Sequence, residues 1–220
     1  MKLAIFDFDG TLFKEETIPY LMDKWEELGY SKYARTTVRK KILKKYFLRK
    51  IRLLSKENFR KQATIDFLKI FDGMDRQEIE EFFLETSQNI DDTFNDKVLK
   101  EIHKAKKEGF TLVMVSGCFQ IMLEMALKDL PFDYIIGTKL PIGDTGINLD
   151  NDIEIISGMK KKDKVLNEFE GKNVDWENSK AFGDSLYDRF LMELTNNPTA
   201  VTPDDDLRSY ANKNNWNIID

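Results

Sequence analysis

Asp7 and Asp9 stand two residues apart at the end of the apolar run 2–8 and are followed at once by Gly10. On or just beyond a strand, residues i and i+2 point to the same side, so the two carboxylates can converge at its carboxyl end. Open parallel sheets bind their ligands there. Two close carboxylates repel, and a divalent cation relieves the repulsion, leaving one to bind metal and attack while the other holds or donates a proton. For either residue alone, an aspartate in a strand-end turn is the plainer reading. The unbroken string Asp7-Phe8-Asp9-Gly10-Thr11 argues against it. Further along, Asp184 closes the segment Ala181-Phe182-Gly183-Asp184 and Asp188 follows four residues later, one helical turn away. Two more carboxylates thus arrive where a cation would need them.

Ser116-Gly117 ends a second apolar run, where a hydroxyl and the first free N–H groups of a helix can receive a phosphate oxygen. An ordinary serine N-cap is the competing reading. Cys118 is the only cysteine and His103 the only histidine, and His103 lies among lysines in a helical stretch. Thiol-histidine or serine-histidine catalysis and a zinc centre are therefore starved of partners. Lys160, Lys161 and Lys162 precede Val165, Leu166 and Phe169. Helix phase puts Lys162, at i−3, i−4 and i−7 from those three, on the core-facing side, where a charge must find an anion.

The elements that must carry these residues alternate. Strand-like runs at 2–8, 111–117, 134–136, 181–182 and 199–201 are separated by helix-like stretches at 95–107, 119–127, 163–169 and 186–194. This is the signature of an α/β fold with a mostly parallel sheet covered on both faces. Residues 17–92 break the rhythm with helical periodicity alone, as in Leu21, Trp25 and Leu28, and read as an inserted helical domain. The core is then 1–16 and 93–220. Gly143 and Asp144-Thr145-Gly146 mark a hairpin within 137–150.

The composition, 41% hydrophobic and 33% charged over 220 residues, is that of a folded chain rather than a disordered one. A single cysteine permits no intrachain disulfide and points to a reducing compartment, so a cytoplasmic location is expected. Asp7 and Asp9 interrupt the first apolar run too early for a leader or a membrane span. The net charge of −5 disfavours a nucleic-acid partner but hides two opposed blocks. Residues 31–61 carry 13 Lys/Arg against one acid, Glu57, while 64–96 carry ten acids against Lys69 and Arg76.

Taken in order, DFDGT (7–11), SG (116–117), the lysine cluster and GDSLYD (183–188) resemble the haloacid dehalogenase superfamily of phosphotransferases, and within it the subfamily IB branch of phosphoserine phosphatases. The resemblance implies a Rossmann-like core with a helical cap of the C1 type that closes over the site. It implies Asp7 as the nucleophile that forms an aspartyl-phosphate, Asp9 as general acid and base, and Ser116 as a phosphate ligand. Lys162 would neutralise the phosphate; the family's Gly-x-x-Lys spacing from Gly158 selects Lys161 as its rival. Mg²⁺ would be held by Asp7, the backbone carbonyl of Asp9 and Asp184, with Asp188 acting directly, through water, or by fixing the loop. Gly10, Thr11 and Gly117 would line the phosphate. Glu16 and Arg60 match positions that in phosphoserine phosphatases meet the substrate's amino and carboxylate groups.

The resemblance therefore implies a Mg²⁺-dependent phosphomonoester hydrolase acting on a small phosphorylated metabolite such as phosphoserine, as a monomer or homodimer. Gly117-Cys118, where phosphoserine phosphatases resemble Gly-Gly, departs from that branch. The basic block 31–61 admits a larger anionic or lipid phosphate, such as phosphatidylglycerol phosphate, as an alternative substrate, and a non-catalytic phosphate-binding or nucleic-acid-binding module as an alternative of another class. Peripheral membrane contact would require Tyr46, Phe47 and Leu48 to be exposed, whereas core packing is the expectation for them.

Overall fold

A computed structural model describes residues 1–150 and 152–220. In chain order, β1 (Leu3–Phe6) leads to four helices, α1 (Thr17–Glu27), α2 (Lys32–Lys50), α3 (Lys56–Leu68) and α4 (Arg76–Thr86). Then come α5 (Asp96–Lys107), β2 (Thr111–Phe119), α6 (Gln120–Ala126), β3 (Tyr134–Thr138) and the short pair β4 (Ile142–Gly143) and β5 (Gly146–Ile147). The chain closes with α7 (Met159–Glu168), β6 (Lys180–Gly183), α8 (Arg189–Met192), β7 (Asn197–Val201), α9 (Asp205–Lys213) and β8 (Asn217–Ile219).

Two compact units result. The first holds 1–16, 87–138 and 156–220; the second holds 17–86 and 139–155. Residues 87–92 thus fall with the α/β unit rather than with the insertion, and 139–155 with the helices. The second shift has a local cause: the Arg76 guanidinium donates to the Ile142 carbonyl at 2.6 Å, and Gly146, at φ +108°, passes so close to the Met74 carbonyl that no Cβ would fit. No local feature of 137–150 announces that attachment.

The first unit is built on a six-stranded sheet in the order β3-β2-β1-β6-β7-β8, every described pair parallel. All four residues of β1 are buried, as a central parallel strand requires, and they alternate between two cores. Leu3 and Ile5 join Val113, Val115, Ala181 and Ala200 against Val165 of α7, its C-cap Phe169, and Leu207 of α9. On the other face Phe6 stacks on Phe182 with ring centroids 4.5 Å apart. Val98, Ile102 and Ala105 of α5, at i, i+4 and i+7, are buried. Gly109, at φ +78°, stops this helix where the sequence places its end. From β1 the chain builds outward to β2 and β3 on one side and returns through β6, β7 and β8 on the other. The order reverses beside β1, the position at which open sheets form a crevice outside their strand ends.

The second unit packs around aromatic rings: Trp25, Phe71, Phe82 and Phe83 meet edge-on or stacked at 5.2–5.7 Å. Buried Asp66 is paired by Lys45 and by Lys69, the latter at 3.2 Å. Leu21 and Trp25 are buried, but Leu28 is exposed, because α1 ends at Glu27 and Gly29 turns the chain at φ +80°. Tyr46 and Phe47 are also exposed, contrary to the core packing expected of them. Among the described residues no helix is long and apolar enough to cross a membrane.

Candidate active site

The ends of β1 and β6 bring the acids together. Asp7 continues the β1–β6 ladder by donating its N–H to the Phe182 carbonyl at 3.0 Å, so its side chain leaves the sheet at the strand terminus. Its Oδ1 accepts from the Phe8 N–H at 2.7 Å and from Lys161 Nζ at 2.7 Å. Lys161 Nζ also donates to Asp188 Oδ1 at 2.6 Å, and all three side chains are buried. Asp188 Oδ2 accepts from the Ser185 N–H at 3.1 Å and from Ser185 Oγ at 2.9 Å, closing a capping box at the start of the turn 186–188. Asp184 joins them: one oxygen each of Asp7, Asp184 and Asp188 lie within 4.8 Å of one another.

Two glycines make room. Gly10 turns the loop at φ +72°, and a Cβ there would lie 2.6 Å from Asp184 Cγ. A Cβ on Gly183 would lie 2.7 Å from that of Asp188. Neither position tolerates a side chain without displacing an acid.

Three carboxylates against one ammonium leave an excess of negative charge in a desolvated place. Burial, together with the charges of Asp188 and Asp7, pushes the Asp184 carboxyl up to about 9. Burial likewise outweighs Lys161 at Asp7 and pushes it up to about 6. Asp188 goes the other way, because the Lys161 charge and the hydrogen bonds from Lys161 and Ser185 overcome its burial. Lys161 is raised despite burial by the two anions it joins. An all-oxygen donor set that repels itself suits a hard divalent cation. Asp7 Oδ2 and the Asp184 carboxylate have no hydrogen-bond donor among the described residues, whereas both Asp188 oxygens are occupied by Lys161 and Ser185. The cluster can coordinate a divalent metal ion.

Of the rival lysines, Lys161 is the one that reaches Asp7 and Asp188. Helix α7 starts at Met159, directly after Gly158 at φ +57°, and its buried stripe, Lys161 and Val165 at i and i+4, runs on to the buried C-cap Phe169 at i+8. Leu166, which pulled the phase one residue forward, is exposed, and Lys162 is only half-buried beside it. Asp9 is half-buried in the turn made by Gly10. Thr11 is fully buried, its Oγ1 without a hydrogen-bond partner among the described residues. Ser116 is buried on β2, two residues beyond Met114, which pairs with Phe6, and so is level with Phe8; its Oγ accepts from the Cys118 N–H at 3.2 Å. Strand β2 runs on to Phe119, so the helix expected from about that residue starts at Gln120, and Gly117 belongs to the strand, packed against the Ile156 carbonyl. Glu16 is exposed, and its charge contributes to raising Asp184. Arg60 is half-buried in α3 of the second unit. Ser185 was not anticipated, although Ser185-x-x-Asp188 is the spacing of a capping box.

The family model for haloacid dehalogenase-like hydrolases matches residues 4–193, the span that contains every member of the acidic cluster. The chain belongs to this family. Comparison with curated proteins finds no match. Among solved structures, this haloacid dehalogenase-like hydrolase is similar to a protein of unknown function from Bordetella pertussis Tohama I, with a TM-score of 0.83 and 18% identity over 100% of this chain and 98% of that one. It is also similar to a HAD family hydrolase from Salmonella enterica serovar Typhi, with a TM-score of 0.73 and 20% identity over 95% of this chain and 65% of that one. A phosphoserine phosphatase in its apo form shares the fold with a TM-score of 0.68 and 18% identity, over 99% of this chain and 92% of that one.

Proposed function

We propose that this haloacid dehalogenase-like hydrolase is a Mg²⁺-dependent phosphomonoester hydrolase in which Asp7 forms an aspartyl-phosphate. The observation that carries the reading is the position of Lys161, buried and held between Asp7 and Asp188 beside Asp184. An ordinary carboxylate can attack a phosphate monoester only if the repulsion between two anions is relieved and the attack is aligned. Lys161 supplies fixed positive charge, and the Phe8 N–H together with Lys161 fixes the Asp7 carboxylate by its Oδ1.

An Asp7 oxygen bonds to phosphorus as the bond to the leaving alcohol breaks, and Asp9 gives that alcohol its proton. Asp9 then takes a proton from water, whose oxygen attacks phosphorus, releasing inorganic phosphate and the Asp7 carboxylate. Ser116 contributes a hydroxyl to the phosphate oxygens. Asp188 and Ser185 keep Lys161 in place and do not react. Asp7, Asp184 and the Asp9 carbonyl are the groups that would hold Mg²⁺, which when bound supplies positive charge to offset that of the phosphate.

The substrate we propose is a small phosphorylated metabolite such as phosphoserine, supported by the shared fold with a phosphoserine phosphatase; the sequence resemblance makes Glu16 and Arg60 its candidate amino- and carboxylate-binding residues. Phosphate release in Mg²⁺ from a panel of phosphoserine, sugar phosphates and a generic monoester, wild type against Asp7→Asn, tests the reaction. Preferential loss of phosphoserine turnover in Glu16→Gln and Arg60→Lys tests the substrate.

A further inference from the structure

The acidic cluster consists of Asp7, Asp184 and Asp188, none of them from the charge block at 31–61, and the structure gives that block a shape. Helix α2 spans 19 residues, about 28 Å at the α-helical rise, with no acidic residue and only Val38 buried. Its outward side is not simply a solvated basic face. Leu43 and Phe47, at i and i+4, are 54% and 60% exposed, and Leu53, in the turn after the helix, is 74% exposed. Around Leu43 and Phe47 on the helix surface stand Arg39, Lys40, Lys44 and Lys50, all exposed and none with an acidic partner within ion-pair distance among the described residues. The cations on the inward side differ: Arg35 is paired with Asp23 and Glu26, and Lys45 with Asp66. Exposed Lys32, in the first turn of α2, reaches Glu26 at 3.9 Å; beyond that turn, ion pairing serves the packed side of α2 and leaves the outward side charged.

We infer that the outward face of α2, with the turn that follows it, docks on an anionic lipid surface. Apolar side chains of this size gain from leaving water, and Lys and Arg beside them reach the anionic headgroups while their stems share the interface. Charge complementarity selects this occupant. A second copy meeting the face about a two-fold axis would set one uncompensated basic surface against another. A nucleic-acid backbone would engage the lysines but leave Leu43, Phe47 and Leu53 in water. The net charge of −5 orients the molecule as well, since an anionic bilayer repels its acidic surfaces and attracts this one. The inference is independent of the proposed hydrolysis and does not require a lipid substrate.

Co-sedimentation of the full chain with vesicles tests it, comparing pure phosphatidylcholine with an equal mixture of phosphatidylcholine and phosphatidylglycerol. Binding is expected to the mixed vesicles only, falling as salt is raised. Leu43→Ser/Phe47→Ser weakens it by at least about tenfold, and Lys40→Glu/Lys44→Glu by at least about thirtyfold. Both variants keep the wild-type melting temperature, because the altered side chains are exposed, and keep turnover of a soluble monoester if the wild type has it. Equal sedimentation with both vesicle types, or retained binding in either variant, overturns the inference. So does a dimer that Leu43→Ser/Phe47→Ser dissolves, or salt-sensitive oligonucleotide binding, if no vesicle association accompanies it.

Discussion

Lys161 Nζ lies 2.7 Å from Asp7 Oδ1 although 154 residues separate the two in sequence. One residue stands just past the first strand and the other in the first turn of α7, and neither meets water freely. A buried ammonium is stable only where anions enclose it, and here two do, so the same contact that satisfies the lysine also favours the charged form of the carboxylate proposed to react.

Replacing Lys161 by Met strands the anions of Asp7 and Asp188 in the interior. Loss of one partner of a buried ion pair costs about 3–5 kcal/mol, lessened where an acid takes up a proton. Turnover should fall by about a hundredfold or more. Lys162→Met should leave both melting temperature and turnover close to wild type. Thermal melts and steady-state assays on the two variants side by side decide between adjacent lysines.

Ser185→Ala removes the hydroxyl from Asp188 Oδ2 but spares the backbone N–H. A hydrogen bond to a charged group contributes about 1.5–3 kcal/mol, and a loss of that order should appear in denaturant unfolding. Ser185→Thr, which keeps the hydroxyl, should recover most of it.

Gly10→Ala places a methyl group against Asp184 in a backbone region unfavourable to side chains. Asp184 must move, and the Mg²⁺ concentration needed for half-maximal activity should rise by about ten- to a hundredfold. Isothermal titration with Mg²⁺ measures the same loss without turnover.

The acidic cluster makes the metal-free protein sensitive to pH in a defined direction. The carboxyls of Asp184 and Asp7 are raised to about 9 and about 6, so above about pH 4 the folded state holds protons that the unfolded state has released. Stability therefore falls as pH rises from about 4 to about 9. The opposite shift at Asp188 acts below that window, and the raised lysine acts above it. Melting curves with and without Mg²⁺ should diverge as pH increases, the ion stabilising more at pH 8 than at pH 5.

Much of this site is legible in the sequence because strand-end acids followed by glycine are a local signal. Asp7 and Asp184 need only a buried parallel strand before them and a backbone free to turn after them. The lysine is harder. Val165, Leu166 and Phe169 fit two helix phases, and the choice turns on the exposure of Leu166, which depends on tertiary packing. The same limit applies to Tyr46 and Phe47, aromatic residues for which core packing is the default expectation and which the fold leaves outside. Residues 139–155 join the second unit through Arg76 and Met74, contacts more than sixty residues distant. The edge strand β8 has three residues after Asn214-Asn215, too short to stand out as a period of its own.

The proposed hydrolysis is covalent, with Asp7 carrying the phosphoryl group. Rapid acid quench during turnover of a generic monoester in Mg²⁺, followed by peptide mass analysis, reads it directly. A phosphoryl adduct is expected on the peptide containing Asp7, absent from Asp7→Asn, which also releases no phosphate. Phosphate release by Asp7→Asn at the wild-type rate, with no adduct on that peptide in either protein, would contradict it.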